Sequence, residues 1–358
     1  MTVAETPPIL DGHNDTLLHL YLPERGGSRT FFTRSDLGHI DLPRARDGGF
    51  AGGFFAVFVP SDPAAPLGSE ADVMRTATGY EVRMAPAIDH AYAQRMTIAM
   101  TASLFRLAAE SRGQVQVVRT VDELEACLRA GILAAILHFE GAEALDPELD
   151  ALEVFYQAGL RSLGLVWSRP NAFGHGVPFK FPHSPDIGPG LTALGRDLVR
   201  ACNRLGIMLD LSHLNEQGFW DVARLSAAPL VATHSNAHAL CPITRNLTDR
   251  QLDAIKESDG LVGVAFEVSM LRPDGDRNVD TPLEIVVQHI DYLAERMGID
   301  HVGLGSDFDG ATMPRALGDA SKLPDLIAAL RERGYDERAV QKVTHQNWMR
   351  VLRQTWHA

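Results

Sequence analysis

The chain has 358 residues, of which 45% are hydrophobic and 22% are charged, a composition typical of a globular protein with a sizeable core. Its 33 lysines and arginines against 46 aspartates and glutamates give a net charge of −13. This argues against a nucleic-acid partner, because nucleic-acid binding depends on basic side chains that neutralise phosphates. The three cysteines are far apart, so neither a disulfide framework nor a CxxC zinc site is indicated.

The amino-terminal residues MTVAETPPIL have neither the basic region nor the apolar core of a secretory signal. No apolar run elsewhere in the sequence is long enough to cross a membrane. The sequence therefore predicts a protein of the cytoplasm that has no membrane partner.

Eight short apolar runs are typical of buried parallel strands. In chain order they are PPILDGHND, GGFAGGFFAVFVP, GILAAILHFEG, LRSLGLVWS, GIMLDLSH, PLVATHSN, GLVGVAFEV and HVGLGSDFDG. Stretches with helical periodicity, such as LDALEVFYQAG and TPLEIVVQHIDYLAERMG, separate most of these runs. Strands that alternate with helices in this way predict a (β/α)8 TIM barrel. Because the sequence has no linker and no internal repeat, residues 1–358 are predicted to form a single barrel domain.

Three further segments lie outside the simple strand and helix alternation. The segment from Ser69 to Arg112, interrupted near Pro86, predicts two helices inserted after the second strand. The Pro- and Gly-rich stretch RPNAFGHGVPFKFPHSPDIGPG follows the fourth strand, where long loops of a barrel commonly shape the active site. The tail after Gly318 predicts helices packed on the outside of the barrel.

Metal-binding side chains stand at the carboxyl ends of five of the predicted strands. They are His13 and Asp15 in DGHND, Glu140 in HFEG, His213 in LSH, His234 in ATH and Asp307 in GSDFDG. The carboxyl ends of barrel strands converge on one face, where barrel enzymes have their active sites. Burying so many carboxylates together without a cation would be unfavourable. The oxygen and imidazole set suits Zn²⁺, Mn²⁺, Co²⁺ or Fe²⁺, and two metals are favoured over one.

These motifs, in this order and spacing, closely resemble the renal dipeptidase family, also called membrane dipeptidases or peptidase family M19, within the amidohydrolase superfamily. The resemblance covers about Leu10 to Gly310 and includes RNLTD after the sixth strand. It implies a binuclear zinc dipeptidase that hydrolyses the amide bond of dipeptides and tolerates a D-residue at the C-terminal position. It further implies a dipeptide substrate as partner and a homodimer.

The resemblance also assigns a role to each matching residue. His13 and Asp15 would bind one zinc ion, His213 and His234 would bind the other, and Glu140 would bridge the two together with a hydroxide. Asp307 would be the acid/base residue that moves the proton. Arg245 in RNLTD would bind the substrate carboxylate, a task suited to its planar and always charged guanidinium.

The sequence departs from the family pattern near the end of the fourth strand. Mammalian members have a histidine there that contacts the substrate carbonyl, whereas this chain has Trp167. The carbonyl would then be polarised by a zinc ion, by Asn171 or by His175, and we include Trp167 and Asn171 among the expected substrate-binding residues. Glu267 stands where an aromatic residue that lines the substrate would be expected, which leaves the side-chain preference open.

Several other polar residues near these motifs are interpreted as structural. His138 shares a strand face with Glu140 but lies below the strand end, in what is predicted to be packed core. His238 and Asp309 are expected to support the ligands or their loops. Asp11 is expected to orient the HND turn through hydrogen bonds.

Two alternative functions remain open at this point. The same scaffold and metals would also serve a lactonase, a deaminase or a phosphoesterase, because a fold does not determine a reaction. A metal-containing but catalytically silent binding protein is the second alternative, and Trp167 is the feature that suggests it.

Overall fold

The computed structural model describes residues 6–61 and 72–357. Within them, eight parallel strands form a closed barrel. They are β1 (Ile9–Asn14), β2 (Phe50–Phe58), β3 (Leu133–Glu140), β4 (Leu160–Gly164), β5 (Met208–Asp210), β6 (Val231–Ala232), β7 (Leu261–Val264) and β8 (Val302–Leu304). Each strand pairs with its neighbours in chain order, β8 pairs with β1 and β2 pairs with β3. The predicted TIM barrel is therefore confirmed.

Helices connect the strands and surround the barrel. The longer ones are His90–Glu110, Val121–Ala130, Asp150–Ala158, Ala193–Leu205, Glu216–Leu225, Asp249–Glu257, Leu283–Met297, Leu323–Arg333 and Asn347–Thr355. The shorter α-helices are Thr16–Tyr21, Pro23–Gly26, Leu42–Asp47, Val268–Leu271 and Glu337–Gln341, and Lys342–Gln346 is a π-helical turn. Their ends follow ordinary capping chemistry: Thr248 and Gln251 form a capping box, and Gly206 ends a helix in the left-handed conformation. Within the described residues, no helix has the length and apolar character needed to span a bilayer.

The insertion after β2 differs from its prediction. Ser69 and its two following residues lie outside the described residues, and the next stretch forms a hairpin of the strands Val73–Arg75 and Tyr80–Val82. One helix, His90–Glu110, follows it, so the first of the two predicted helices is wrong. The hairpin gains a third strand, Lys180–Phe181, from the loop after β4. This partner is about a hundred positions away in the sequence, which is why local periodicity does not reveal it.

The carboxy-terminal tail is helical as predicted, but it does not lie wholly outside the barrel. Trp348 is completely buried, and its indole N–H donates a hydrogen bond to the Leu304 carbonyl at 3.1 Å. Its ring packs 5.0 Å from Phe54 and against β1, where a Cβ on Gly12 would lie only 2.5 Å from the indole. The tail therefore contributes to the core among the barrel strands.

Candidate metal centre

Glu140, at the end of β3, lies between imidazoles that come from three other strands. Its Oε2 is 3.6 Å from His13 Nε2, whereas its Oε1 is 3.1 Å from His213 Nε2 and 3.8 Å from His234 Nε2. His13 is on β1, His213 follows β5 and His234 follows β6. All four side chains are buried. Glu140 Oε2 thus faces the His13 imidazole, and Oε1 faces the imidazoles of His213 and His234.

Two further carboxylates face the His13 side of this cluster. Asp15 Oδ2 is 3.4 Å from His13 Nε2, and one potential ligand atom from each of His13, Asp15 and Asp307 lies within 4.8 Å of the others. A Cβ on Gly310 would lie 2.1 Å from Asp15 Oδ2 and 2.4 Å from Asp307 Oδ1. A side chain at position 310 would therefore displace this pair of carboxylates.

The atoms of this cluster fit a site for divalent cations. Among the described residues, neither ring nitrogen of His13 has a hydrogen-bond partner, and Asp15 Oδ1 has none either. The Nε2 atoms of His213 and His234 are 3.0 Å apart, an arrangement in which a shared cation favours both lone pairs. Buried polar atoms normally have partners, and imidazole and carboxylate donors without thiolate suit Zn²⁺ and similar ions. We name these five residues, His13, Asp15, Glu140, His213 and His234, the metal centre.

The electrostatics of the metal centre show an excess of buried acidic groups. Burial lowers the pKa of His13, but the carboxylates of Glu140 and Asp15 outweigh this effect and raise that pKa to about 10. Burial raises the pKa of Glu140 well above its usual value and that of Asp307 to about 8. A cation between these groups would favour their ionised forms.

The turn after β8 holds Asp307 in place through backbone contacts to β1. The Asp307 N–H donates to the His13 carbonyl at 3.0 Å, and the Asp15 N–H donates to the Phe308 carbonyl at 2.8 Å. Asp11 accepts hydrogen bonds from the Ser306 backbone N–H at 2.6 Å and from its hydroxyl at 2.9 Å. Asp11 therefore holds the turn after β8. The prediction placed its hydrogen bonds on the HND turn instead, where the structure has one long contact, from Asn14 Nδ2 to Asp11 Oδ2 at 3.5 Å.

Arg245 lies next to the metal centre with part of its guanidinium uncommitted. Its Nη2 donates to the His234 carbonyl at 3.3 Å, while its Nε has no partner among the described residues. The side chain is buried, which lowers its pKa to about 10, and it interacts electrostatically with Asp307 and Glu140. A buried cation with a free donor is suited to bind an anionic ligand group.

Trp167 and Asn171 occupy different surroundings. The Trp167 ring is 5.8 Å from the His213 ring and 5.1 Å from Phe58, so it borders the metal centre. The Asn171 side chain instead holds its own loop: its Nδ2 donates to the Leu165 carbonyl at 2.8 Å and its Oδ1 accepts from the Phe173 N–H at 2.9 Å. These bonds give Asn171 a loop-shaping position.

Each residue interpreted as structural has a polar partner outside the metal ligands, and the His138 ring also packs edge-on against His13, with ring centroids 5.4 Å apart. His238 Nε2 is 3.0 Å from the His183 carbonyl. Asp309 Oδ2 is 2.9 Å from Arg29 Nη2. His138 Nδ1 is 2.9 Å from Ser162 Oγ, and burial lowers the pKa of His138 to about 3, which keeps the imidazole neutral.

Sequence reasoning missed one buried ion pair beside Trp167. Arg169 Nε is 2.9 Å from Glu143 Oε1, and both side chains are almost fully buried. The guanidinium carbon of Arg169 lies 5.2 Å from the Trp167 ring, within the range of a cation–π contact. The two residues follow different strands, β3 and β4, so no sequence spacing indicates their pairing.

Comparisons with known proteins relate this chain to one family. The profile of the family described as membrane dipeptidase (peptidase family M19) matches residues 1–358. A metallopeptidase from Rhodobacter sphaeroides, solved with a phosphinate mimic of the dipeptide L-Ala-D-Ala, is 53% identical. It aligns over 98% of this chain and 100% of its own, with a TM-score of 0.93. Dipeptidase tcpJ of Claviceps purpurea is 32% identical over 349 residues, which are 96% of this chain and 76% of that protein.

Proposed function

Because this chain belongs to the membrane dipeptidase family, peptidase family M19, and is a metallo-dipeptidase, we propose that it is a binuclear zinc enzyme that accepts a D-residue at the C-terminal position of its dipeptide substrate. The observation that carries the two-metal proposal is the position of Glu140, whose two oxygens face His13 on one side and His213 on the other. The D-residue proposal is supported by the relative from Rhodobacter sphaeroides, which is 53% identical to this chain and was solved with a phosphinate mimic of L-Ala-D-Ala.

The chain's own residues divide the binding of the ions between them. His13 and Asp15 would hold one ion, His213 and His234 would hold the other, and Glu140 would be the ligand that the two ions share. When bound, two such cations supply a water that is acidic enough to ionise near neutral pH and a positive charge for the scissile carbonyl oxygen. The sequence also predicts a cytoplasmic location, and the resemblance implies a homodimer.

Asp307 is the residue proposed to move the proton. Its carboxylate lies beside Asp15, as the common neighbour Gly310 shows, and its backbone is fixed to β1. It accepts a proton from the attacking water as the new C–O bond forms. It then gives that proton to the amide nitrogen as the C–N bond breaks and the amine departs. General acid–base catalysis of this kind contributes about 10²–10⁴-fold to the rate.

Arg245 is proposed to bind the terminal carboxylate of the substrate. Its guanidinium is buried beside the metal centre, and its Nε has no hydrogen-bond partner in the described part of the chain, so it offers charge and a hydrogen-bond donor at a buried position. A cation at a short fixed distance from the reacting bond favours substrates that end one residue beyond that bond. Trp167, whose ring borders His213, is proposed to contact the same substrate.

The proposed function is tested by metal analysis together with a substrate panel. We expect two zinc ions per chain in purified protein and hydrolysis of dipeptides from an L-Xaa-D-Xaa and L-Xaa-L-Xaa library. Lactones, phosphoesters and deaminase substrates assayed in parallel should be turned over poorly. Preferential cleavage of one of those classes would replace the dipeptidase proposal, and binding of dipeptides without cleavage would indicate a silent binding protein.

A further inference from the structure

Asp210, at the end of β5, is a buried carboxylate to which none of the roles above applies. It is 1% exposed. Its Oδ1 accepts hydrogen bonds from the Ser212 N–H at 2.9 Å and from the Thr233 N–H at 2.8 Å. Its Oδ2 accepts from the Thr233 hydroxyl at 2.6 Å. The carboxylate is therefore fixed by three donors from two residues, Ser212 in the turn after β5 and Thr233 directly after β6.

The Thr233 hydroxyl connects this carboxylate to a ligand of the metal centre. Thr233 Oγ1 is 2.9 Å from His234 Nδ1. A hydroxyl has one hydrogen to donate, whereas an ionised carboxylate only accepts. Because the Thr233 hydrogen is directed to Asp210, Thr233 Oγ1 accepts from His234, and the proton of the His234 imidazole is on Nδ1.

This proton position leaves the other nitrogen of His234 as a free electron pair. His234 Nε2 faces the metal centre, 3.8 Å from Glu140 Oε1 and 3.0 Å from His213 Nε2. A neutral imidazole binds a metal through the nitrogen that carries no proton, and the partner of its other nitrogen decides which one that is. The direction of the hydrogen bonds therefore leaves the lone pair of His234 Nε2 available to bind a cation.

We propose that Asp210 and Thr233 are positioning residues that fix the tautomer and the ring orientation of His234 as a metal ligand. This inference rests on the proposed function, in which His234 holds one of two ions. The relay is absent from the other ligand of the same ion, since His213 Nδ1 contacts the Ser168 hydroxyl at 2.9 Å, and no further hydrogen bond of that hydroxyl is found in residues 6–61 and 72–357. The Asp210 relay is thus specific to His234.

Replacing Thr233 with its two near-isosteres separates the hydrogen bond from packing. Thr233→Val keeps the shape of the side chain and removes the hydroxyl, whereas Thr233→Ser keeps the hydroxyl and removes the methyl group. We expect Thr233→Val to weaken the binding of one of the two zinc ions by about 10–100-fold, measured by competition with a chelator. Thr233→Ser should bind both ions nearly as tightly as the wild type. If Thr233 served only to pack the core, Thr233→Ser would weaken zinc binding more than Thr233→Val.

Asp210→Asn tests the direction of the relay. The two backbone donors require an oxygen at the Oδ1 position, so the new amide group must point to Thr233. The Thr233 hydroxyl then accepts from Asn and donates to His234, which moves the imidazole proton to Nε2 and blocks the ligand position. We expect this variant to lose zinc affinity at least as much as Thr233→Val. Nitrogen-15 correlation spectra of the histidine rings in metal-free protein should show the tautomer change directly.

Thr355→Val is the matched control, because it makes the same substitution at a buried threonine whose hydroxyl donates to the Val351 carbonyl within the helix Asn347–Thr355. Its zinc affinity should equal that of the wild type. If Thr233→Val binds both zinc ions as tightly as Thr233→Ser, the inference is overturned even when Asp210→Asn fails to fold. If the wild type itself binds no zinc, the proposed function and this inference fail together. If the wild type shows zinc-dependent dipeptidase activity and Thr233→Val binds zinc as tightly as the wild type, the inference fails and the proposed function stands.

Discussion

Asp307 adopts a backbone conformation that few residue types tolerate. Its φ of +61° lies in the left-handed region, which aspartate and asparagine enter more readily than most residues. Asparagine is therefore a substitution that keeps the turn and removes only the ability to carry a proton. Alanine would change both properties at once.

We expect Asp307→Asn to retain both metals and to lower kcat by about 10²–10⁴-fold, the usual contribution of a general acid–base group. The measurement is steady-state hydrolysis of a dipeptide, combined with metal analysis of the same preparation. An unchanged kcat in fully metallated protein would remove Asp307 from the proton transfer.

Arg245 offers a test of how the substrate's length is recognised. Arg245→Ala should raise KM for dipeptides strongly, because a charge-assisted hydrogen bond to the terminal carboxylate is lost and such bonds contribute about 1.5–3 kcal/mol. The same variant should affect dipeptide amides, which lack that carboxylate, much less. The measurement compares kcat/KM of the two substrate series in the wild type and the variant. Equal losses in both series would contradict a carboxylate-binding role.

The turn after β8 and the loop between β1 and β2 are joined by a buried ion pair. Asp309 Oδ2 accepts from Arg29 Nη2 and from the Thr16 hydroxyl, both at 2.9 Å, and both charged side chains are almost inaccessible. Burial raises the pKa of Asp309, but the Arg29 charge, the nearby His39 and His19 rings and the His39 backbone N–H together outweigh it and hold that pKa below its usual value. The pair thus fixes the turn that contains Asp307.

Asp309→Asn should lower the free energy of unfolding by about 3–5 kcal/mol, since it leaves the Arg29 charge buried without its counter-ion. Urea unfolding of the metal-free proteins measures this difference. The matched control is Asp280→Asn, which removes an exposed pair with Arg315 and should change stability by less than about 1 kcal/mol. Similar small losses in both variants would show that the buried pair contributes little.

The barrel strands could be predicted from the sequence because each is a continuous apolar run buried on both faces, a pattern that parallel sheets impose locally. The hairpin of Val73–Arg75 and Tyr80–Val82 could not. It is completed by Lys180–Phe181, and a Cβ on Gly79 would lie only 1.8 Å from the Phe181 carbonyl oxygen. The stability of this hairpin therefore depends on a distant segment. The burial of Trp348 likewise depends on barrel strands that are far from it in the sequence.

The convergence of the metal ligands was predictable for a topological reason. In a parallel barrel the carboxyl ends of all strands face one side, so His13 on β1 and His234 after β6 must approach each other once the barrel closes. The side chains that support them could not be predicted in the same way. The Asp210 to Thr233 contact and the Arg169 to Glu143 pair depend on which side chains face each other across neighbouring strands, and no spacing rule gives that.

The metal centre also links catalysis to the stability of the whole barrel. Glu140, Asp15 and Asp307 are acidic groups gathered around His13, and without cations their mutual repulsion and burial oppose folding. Ions that bind only the folded chain reverse this, by about 2.7 kcal/mol per site when free zinc is 100 times its Kd. Removing zinc with a chelator should therefore lower Tm, and adding zinc back should restore it.

Glu140→Gln should change the stability of the metal-free and the zinc-treated protein in opposite directions, because a neutral amide removes one of the crowded carboxylates and also the proposed bridge between the ions. We expect the stripped variant to melt at a higher temperature than the stripped wild type, and the zinc-treated variant to melt at a lower temperature than the zinc-treated wild type. Thermal unfolding of the four samples, with metal content measured in each, checks the crossing. If Glu140→Gln destabilises both forms equally, Glu140 acts through packing alone, and the repulsion between buried carboxylates is not what the cations relieve.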